Sequence, residues 1–166
     1  MRKQKGFSLI ELLIVVAIIL IIAAIAIPNL LRARIAANES SAVSGIRTVN
    51  TAEVSYNSTY PTVGYSGTLA ALGDGGNCPA PPTQATACLI DNVLATNGGG
   101  NGKSGYSYSY APVVGGTLNT GYAANANPLT LNQTGVRSFC SVEDAVVRFQ
   151  ASGGGLVCAN TTLPLQ

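Results

Sequence analysis

The chain has 166 residues, 47% of them hydrophobic and 10% charged, which fits one domain of modest size and excludes a disordered polyelectrolyte. Beyond residue 35 only four scattered basic residues remain, so no basic patch for nucleic acid is evident. The sequence has no histidine, no phosphate-binding glycine loop and no nucleophile motif. We therefore expect a protein that is not an enzyme, with no catalytic residue, no metal ligand and no cofactor.

The first element is an apolar run from Phe7 to Ile27 that is interrupted only by Ser8 and Glu11. At about 1.5 Å per residue, the run matches a hydrocarbon core of about 30 Å. A secretory signal peptide would be cut near Ala24–Ala26, whereas a plain anchor would stay uncut. Neither needs Glu11, because an acidic residue inside a span costs about 2.5–3.5 kcal/mol, and less near the interface. Either Glu11 lies shallow and reaches the headgroups, or a cation awaits it.

A third interpretation comes from the stretch KGFSLIEL at residues 5–12. It resembles the class III leader and cleavage site of type IV pilins and type II secretion pseudopilins, and the resemblance covers about the first 35 residues. It implies that a prepilin peptidase cuts between Gly6 and Phe7 and then N-methylates Phe7. It also implies that Glu11 pairs with the Phe7 amine of a neighbouring subunit in a filament. Such a pair would set the axial register more than it would add stability.

The helical pattern continues beyond Pro28, which we expect to kink the axis because proline removes a backbone hydrogen bond. Apolar residues recur there with the period of one helix face: Leu31, Ile35, Ala42, Ile46, Val49 and Tyr56. We therefore predict one helix from Phe7 to Asn57, broken at Tyr60-Pro61. Its second half should offer this face to a small domain.

The remaining chain reads as a long connection followed by strands. Residues 61–104 are rich in glycine and proline, with a short helical piece near Thr68–Leu72. Strand signals follow at Tyr106–Tyr110, Asn119–Ala126, Val136–Ser141 and Ala145–Ala151. We expect an α+β fold, in which an antiparallel sheet of about four strands packs on the second half of the long helix, as in the pilin fold. The tyrosine rings should cover the helix face with their hydroxyls at the rim.

Four cysteines lie beyond the apolar run, which suits an oxidising compartment: Cys78, Cys88, Cys140 and Cys158. Four cysteines allow three pairings. Proximity in sequence favours Cys78–Cys88 and Cys140–Cys158, and each bridge would add about 2–4 kcal/mol.

The resemblance also implies an organisation and a function. Residues 1–6 would be a leader peptide, 7–28 a transmembrane and filament-core helix, and 29–166 a periplasmic or surface domain. The chain would be a type IV pilus subunit for surface attachment and twitching motility, with DNA uptake as a further role. It would span the inner membrane with a cytoplasmic N-terminus and become extracellular on assembly. The expected partners are further copies of the chain, the prepilin peptidase, the inner membrane with its pilus assembly machinery, host or abiotic surfaces, and DNA as a further candidate.

Two alternatives remain open. The first is a type II secretion pseudopilin that forms a periplasmic piston. Major pseudopilins usually bind calcium in an acidic C-terminal loop, and the sequence shows no such loop. The second is an anchored periplasmic binding module that uses only the sheet domain.

The cleavage site can be tested by mass. In a host with prepilin peptidase, intact-mass spectrometry of the purified chain should show loss of residues 1–6 and a gain of one methyl group. A mature chain that begins at Ile27 would contradict the assignment and indicate an ordinary signal peptide.

Overall fold

A computed structural model of the protein describes residues 7–151, 158 and 163–164. The chain divides into two compact units, one up to Arg34 and one from Ile35 onward, and the second unit is called the body below. Helix α1 covers Leu9–Thr59 and the short helix α2 covers Asn92–Ala95, with 3-10 turns at Leu69–Leu72 and Gly98–Gly100. The strands are β1 (Tyr106–Gly115), β2 (Leu118–Pro128), β3 (Ser138–Val142), β4 (Arg148–Gln150) and β5 (Leu163–Pro164).

The predicted α+β fold is confirmed. The strands form one antiparallel sheet in chain order, and β1 to β4 correspond to the four predicted strands. Two short elements were not predicted, because neither is long enough to show a period. One is β5, and the other is α2, whose first turn is capped by a hydrogen bond from Leu94 N to Asp91 Oδ1 of 2.9 Å. Helix α1 begins and ends two residues later than the prediction of Phe7–Asn57.

The core lies between the second half of α1 and the inner face of the sheet. The helix contributes the predicted face from Ala42 to Tyr56, and the sheet contributes residues at alternating positions of β1 and β2: Tyr106, Tyr108, Tyr122, Ala124 and Ala126. The buried face is shorter than predicted. Leu31 is 43% exposed, so the body covers the helix only beyond Ile35.

Gly45, which weakens the helix by about 1 kcal/mol relative to alanine, makes room for an aromatic ring. A Cβ at this position would lie 2.5 Å from the hydroxyl of Tyr108 and 3.0 Å from its ring carbons. The ring therefore packs directly on the helix backbone. Its hydroxyl is buried and has no hydrogen-bond partner within the described residues, so the expectation that it reaches the rim is wrong for Tyr108.

Two buried carboxylates fasten α1 to the rest of the body, and Glu39 is the first. Glu39 Oε1 accepts hydrogen bonds from the backbone N–H groups of Val136 and Arg137, at 3.0 and 3.1 Å, and Oε2 accepts one from Arg137 Nε at 2.8 Å. The guanidinium lies over the rings of Phe139 and Phe149, 5.5 and 5.6 Å from their centroids. Burial would raise the pKa of Glu39, but these hydrogen bonds and the charge of Arg137 outweigh it and hold the pKa below its usual value.

The second buried carboxylate that holds α1 to the rest of the body is Glu53, whose side chain is fully buried. It accepts hydrogen bonds from Ser66 N, at 2.9 Å, and from Ser66 Oγ, and no basic side chain pairs with it among the residues that the structure describes. Tyr110 closes the cluster by donating to the Ser66 carbonyl at 2.9 Å. Burial, with the nearby Glu53 carboxylate, raises the pKa of Tyr110. These contacts hold the start of the long connection against the helix.

The Glu39 contact predicts a pH-dependent stability. Breaking a buried ion pair costs about 3–5 kcal/mol, but the Arg137 side chain is 42% exposed, so Glu39→Gln should lower the unfolding free energy by about 1–3 kcal/mol. Because the folded pKa is lowered, the contribution is complete above the unfolded value of about 4.3 and disappears as the pH falls through the folded pKa.

Urea unfolding of the detergent-solubilised chain between pH 7 and pH 3 measures this difference. Glu143→Gln, at an exposed carboxylate, is the matched control and should change little. An equal cost of Glu39→Gln at pH 7 and pH 3 would contradict the electrostatic explanation.

Candidate assembly site

The candidate assembly site lies at the N-terminal start of helix α1. Phe7 is 82% exposed and precedes the helix, and the Ser8 carbonyl accepts the first hydrogen bonds, from Glu11 N at 3.1 Å and Leu12 N at 3.3 Å. Gly6, the other half of the predicted cleavage site, lies outside the described residues, so cleavage and N-methylation stay predictions.

Glu11 has a partner within its own chain. Its Oε2 accepts a hydrogen bond from Ser8 N at 3.0 Å. Ser8 stands at the N-cap and Glu11 three residues later, so this is one half of a capping box. The carboxylate also lies in the first turn, where it favours the positive end of the helix dipole.

Sequence reasoning missed this role, although the signal was present. The spacing Ser-x-x-Glu before an apolar run is the signature of a capped helix start. The carboxylate of Glu11 therefore has a hydrogen-bond partner even in a single chain. The hydrogen bond uses Oε2, and both oxygens are positioned at an exposed helix end, where a cation of another chain can approach.

Behind Glu11, α1 presents apolar side chains on all sides. Every large apolar side chain from Phe7 to Leu30 is between 47% and 82% exposed. This part of α1 is long and apolar enough to cross a membrane. Burying one such side chain contributes about 1.5–3 kcal/mol, so lipid or other helices must cover the segment.

Pro28 lies inside α1. Because proline has no N–H, the carbonyl four residues earlier, at Ala24, lacks its usual intrahelical donor. The site for a kink is thus present, and the kink itself stays a prediction.

The body's sheet has a closed edge on the β1 side. Tyr106 exchanges both backbone hydrogen bonds with Lys103, at 3.0 and 2.8 Å, so alternate residues of β1 direct their backbone groups to this edge. The next such position, Tyr108, donates to Asn97 Oδ1 at 2.7 Å. Pro112 faces the same edge and, as a proline, has no backbone N–H that could donate to another strand. A strand of another chain is therefore hindered from adding here.

Two disulfides fasten the loops. Cys78 is joined to Cys88 and Cys140 to Cys158, with S–S distances of 2.01 and 2.09 Å, which is the pairing that proximity favoured. The first closes a loop inside the connection between α1 and β1. The second links β3 to the C-terminal segment.

Comparison with known proteins adds to this geometry. Residues 1–27 match the family described as the prokaryotic N-terminal methylation motif. The type IV wide pilus major component PilA4 of Thermus thermophilus is 68% identical over 40 residues, which are 24% of this chain and 30% of that protein. The type IV major pilin protein PilA of Myxococcus xanthus is 46% identical over 54 residues, 32% of this chain and 24% of that one. The N-terminal part of the chain is type IV pilin-like.

A third relative of this pilin-like chain is the type II secretion system core protein G of Vibrio cholerae. It is 43% identical over 65 residues, which are 37% of this chain and 44% of that protein. The matched segments thus cover less than half of each of these relatives. No solved structure matches. The resemblance is to structural subunits of pili and of a secretion system, and not to enzymes.

The disulfides yield a stability prediction for the pilin-like chain. Cys78→Ser/Cys88→Ser and Cys140→Ser/Cys158→Ser should each lower the unfolding free energy by about 3 kcal/mol, because the sequence separations of 10 and 18 residues remove similar loop entropy from the unfolded chain. Urea unfolding with and without dithiothreitol measures both. Reduction should bring the parent to the stability of the variant that lacks both bridges. A parent that is insensitive to complete reduction would contradict the prediction.

Proposed function

We propose that the chain is the structural subunit of a type IV pilus filament. It would be inserted in the inner membrane with a cytoplasmic N-terminus, cut by the prepilin peptidase after Gly6, N-methylated at Phe7 and polymerised. The filament would serve surface attachment and twitching motility, with DNA uptake as a further role. Copies of the chain, the pilus assembly machinery and host or abiotic surfaces would be its partners.

One observation carries the proposal: Glu11 stands at the start of a helix whose apolar side chains are exposed on all sides. A membrane anchor needs the apolar surface but not the carboxylate. A filament core needs both, because the helices must cover one another and also stay in register. After cleavage the Phe7 amine would be the nearest cation of a neighbouring chain, at the same depth in the apolar bundle.

The body supports assembly through helices and loops. Between Ser44 and Ser58, the face of α1 turned away from the sheet is mostly exposed and bordered by two shallow grooves of about 330 and 320 Å³. Hydroxyl groups along this face donate to carbonyls of the same helix, so they are satisfied before any contact forms. The closed β1 edge works against strand addition. Both features favour a heterologous contact that repeats along a filament.

A type II secretion pseudopilin is the second candidate. The likeness to core protein G of Vibrio cholerae favours it, since that match covers the largest share of this chain among the three. The two disulfides suit both candidates, because the periplasm and the cell exterior are both oxidising, whereas the likeness to PilA4 and PilA favours the pilus.

Shearing the cell surface and imaging the released material decides between the two. For a pilus subunit, abundant thin fibres that contain this chain should come off. For a pseudopilin, the chain should stay with the cells unless it is strongly overproduced. A sheared fraction without the chain would overturn the pilus proposal.

The role of Glu11 can be separated from its capping role by two variants. Glu11→Ala removes both the charge and the acceptor of the Ser8 hydrogen bond, whereas Glu11→Gln keeps an acceptor and removes the charge. If the intersubunit ion pair sets the register, both variants should insert in the membrane but give filament yields lower by about tenfold or more. Normal filament yield from Glu11→Gln would contradict the ion pair and leave only the cap.

A further inference from the structure

The β1–β2 hairpin exposes apolar side chains at both of its ends, and it carries no charge. Residues 104–136, which include both strands and the loop after β2, contain no Asp, Glu, Lys or Arg. Three exposed apolar residues surround the turn of the hairpin and are called the tip patch below: Val113, Val114 and Leu118, which are 50%, 64% and 37% exposed. Three more lie in the loop after β2 and are called the basal patch: Leu129, Leu131 and Val136, which are 47%, 45% and 37% exposed.

Hydrogen bonds place the basal patch at the end of the body where α1 enters it. Asn38 Nδ2 donates to the Thr134 carbonyl at 2.8 Å, and Val136 N donates to Glu39 Oε1 at 3.0 Å. Asn38 and Glu39 follow Ile35, the first residue of the body, by three and four residues. The basal patch therefore lies beside the first turns of α1 within the body.

The tip patch lies at the opposite end of the body, beyond the end of α1 at Thr59. Asn119, which follows the turn of the hairpin, donates its N–H to the Val63 carbonyl at 2.9 Å. Its own carbonyl accepts a hydrogen bond from Tyr65 N at 3.0 Å. The turn of the hairpin is thus bound to the chain that follows the helix.

The two patches are about one body length apart. About 20 helical rises separate Glu39 from Thr59, which corresponds to roughly 30 Å. Along β1, about nine strand rises from Tyr106 to Gly115 also span roughly 30 Å. The patches therefore cannot contact each other within one chain.

A second copy of the chain is the partner that these uncharged surfaces fit. An identical copy carries identical charges, and like charges that face each other across an interface oppose binding. Copies therefore meet with least repulsion where their surfaces are uncharged and apolar. The basic residues beside the basal patch do not change this, because Lys103 and Arg137 are paired with Asp91 and Glu39 at 2.7 and 2.6 Å. An exposed apolar patch of this kind is typical of an interaction site.

We propose that the tip patch of one copy docks on the basal patch of the next copy in the filament. The two patches differ and lie at opposite ends of the body, so the contact is heterologous and repeats along an open chain of subunits. It removes apolar side chains of both copies from water. The inference rests on the proposed polymerisation, which the pilus subunit and the pseudopilin share, and it names the surfaces through which the bodies meet.

Chemical cross-linking of the full chain in an assembly-competent host tests the contact. All four cysteines are in disulfides, so a bismaleimide with a short spacer reacts only with introduced thiols. In Val114→Cys/Leu131→Cys, each copy carries one thiol in each patch, and intact cells should yield a ladder of covalent oligomers on a denaturing gel. Val113→Cys/Leu129→Cys repeats the test in case the first pair disturbs the body.

The controls separate the proposed contact from other encounters. Val93→Cys/Val114→Cys is the matched control, because Val93 lies on α2 and is 50% exposed, and its ladder should be several-fold weaker. Val114→Cys alone and Leu131→Cys alone should stay monomeric. Dimers from either single variant would overturn the inference, because like patches would then meet each other.

The ladder and the sheared-fibre test together separate this inference from the proposed function. Sheared fibres that contain the chain, without a ladder from either cysteine pair, would overturn the tip-to-base contact and leave the pilus proposal intact. A ladder in intact cells without sheared fibres would support the contact and favour the pseudopilin. Absence of both would overturn the pilus proposal and the contact together.

Paired charges test the contact without cysteines. Val114→Asp/Leu131→Asp would place two carboxylates in each contact, whereas Val114→Asp/Leu131→Lys would place a carboxylate opposite an ammonium group. The like-charged variant should give several-fold less assembled chain than the oppositely charged one. The assembled chain is measured in the sheared fraction or, for a periplasmic fibre, after mild detergent solubilisation of the membrane. Equal yields from the two variants would overturn the inference.

Discussion

The apolar surface of the first part of α1 is the constraint on which the rest of the structure depends. Some sixteen large apolar side chains from Phe7 to Leu30 are about half exposed or more, and water would penalise each of them. The body offers its own core to the helix only beyond Ile35. The surface therefore has to be covered from outside the chain, by lipid in the precursor and by other helices in the proposed filament. Lipid and neighbouring helices would contact the same side chains, so the helices would replace the lipid on assembly.

In the proposed filament, Glu11 would make such an exchange specific. Apolar side chains attract one another without a preferred register, because the hydrophobic effect is not directional. A carboxylate at a fixed helix position is directional. In a single chain its hydrogen bond to Ser8 offsets the cost of holding it near lipid, and in the proposed filament a cationic amine would add to that bond or replace it. The carboxylate of Glu11 would thus have a partner both in the single chain and in the filament.

Much of the fold follows from the sequence, since the periods in it are long. The face from Ala42 to Tyr56 repeats over four turns, and the tyrosines of β1 alternate over five residues, so helix and sheet were both predictable. Two of the short elements were not predictable, because α2 and β5 have only four and two residues. The fastening carboxylates Glu39 and Glu53 were missed for another reason. Their roles depend on residues such as Ser66 and Arg137 that are close only after folding.

The closed edge of β1 has a consequence for how the chain is handled by the cell. Subunits that are concentrated in a membrane, or aligned along a fibre, bring many sheets close together, and an open edge would let them merge irreversibly into a common ladder. Asn97, Lys103 and Pro112 obstruct that route. At this edge, neighbouring bodies would then meet through side chains and loops and not through a shared ladder. A fibre built this way could be dismantled into intact subunits, and the same molecules could be used again.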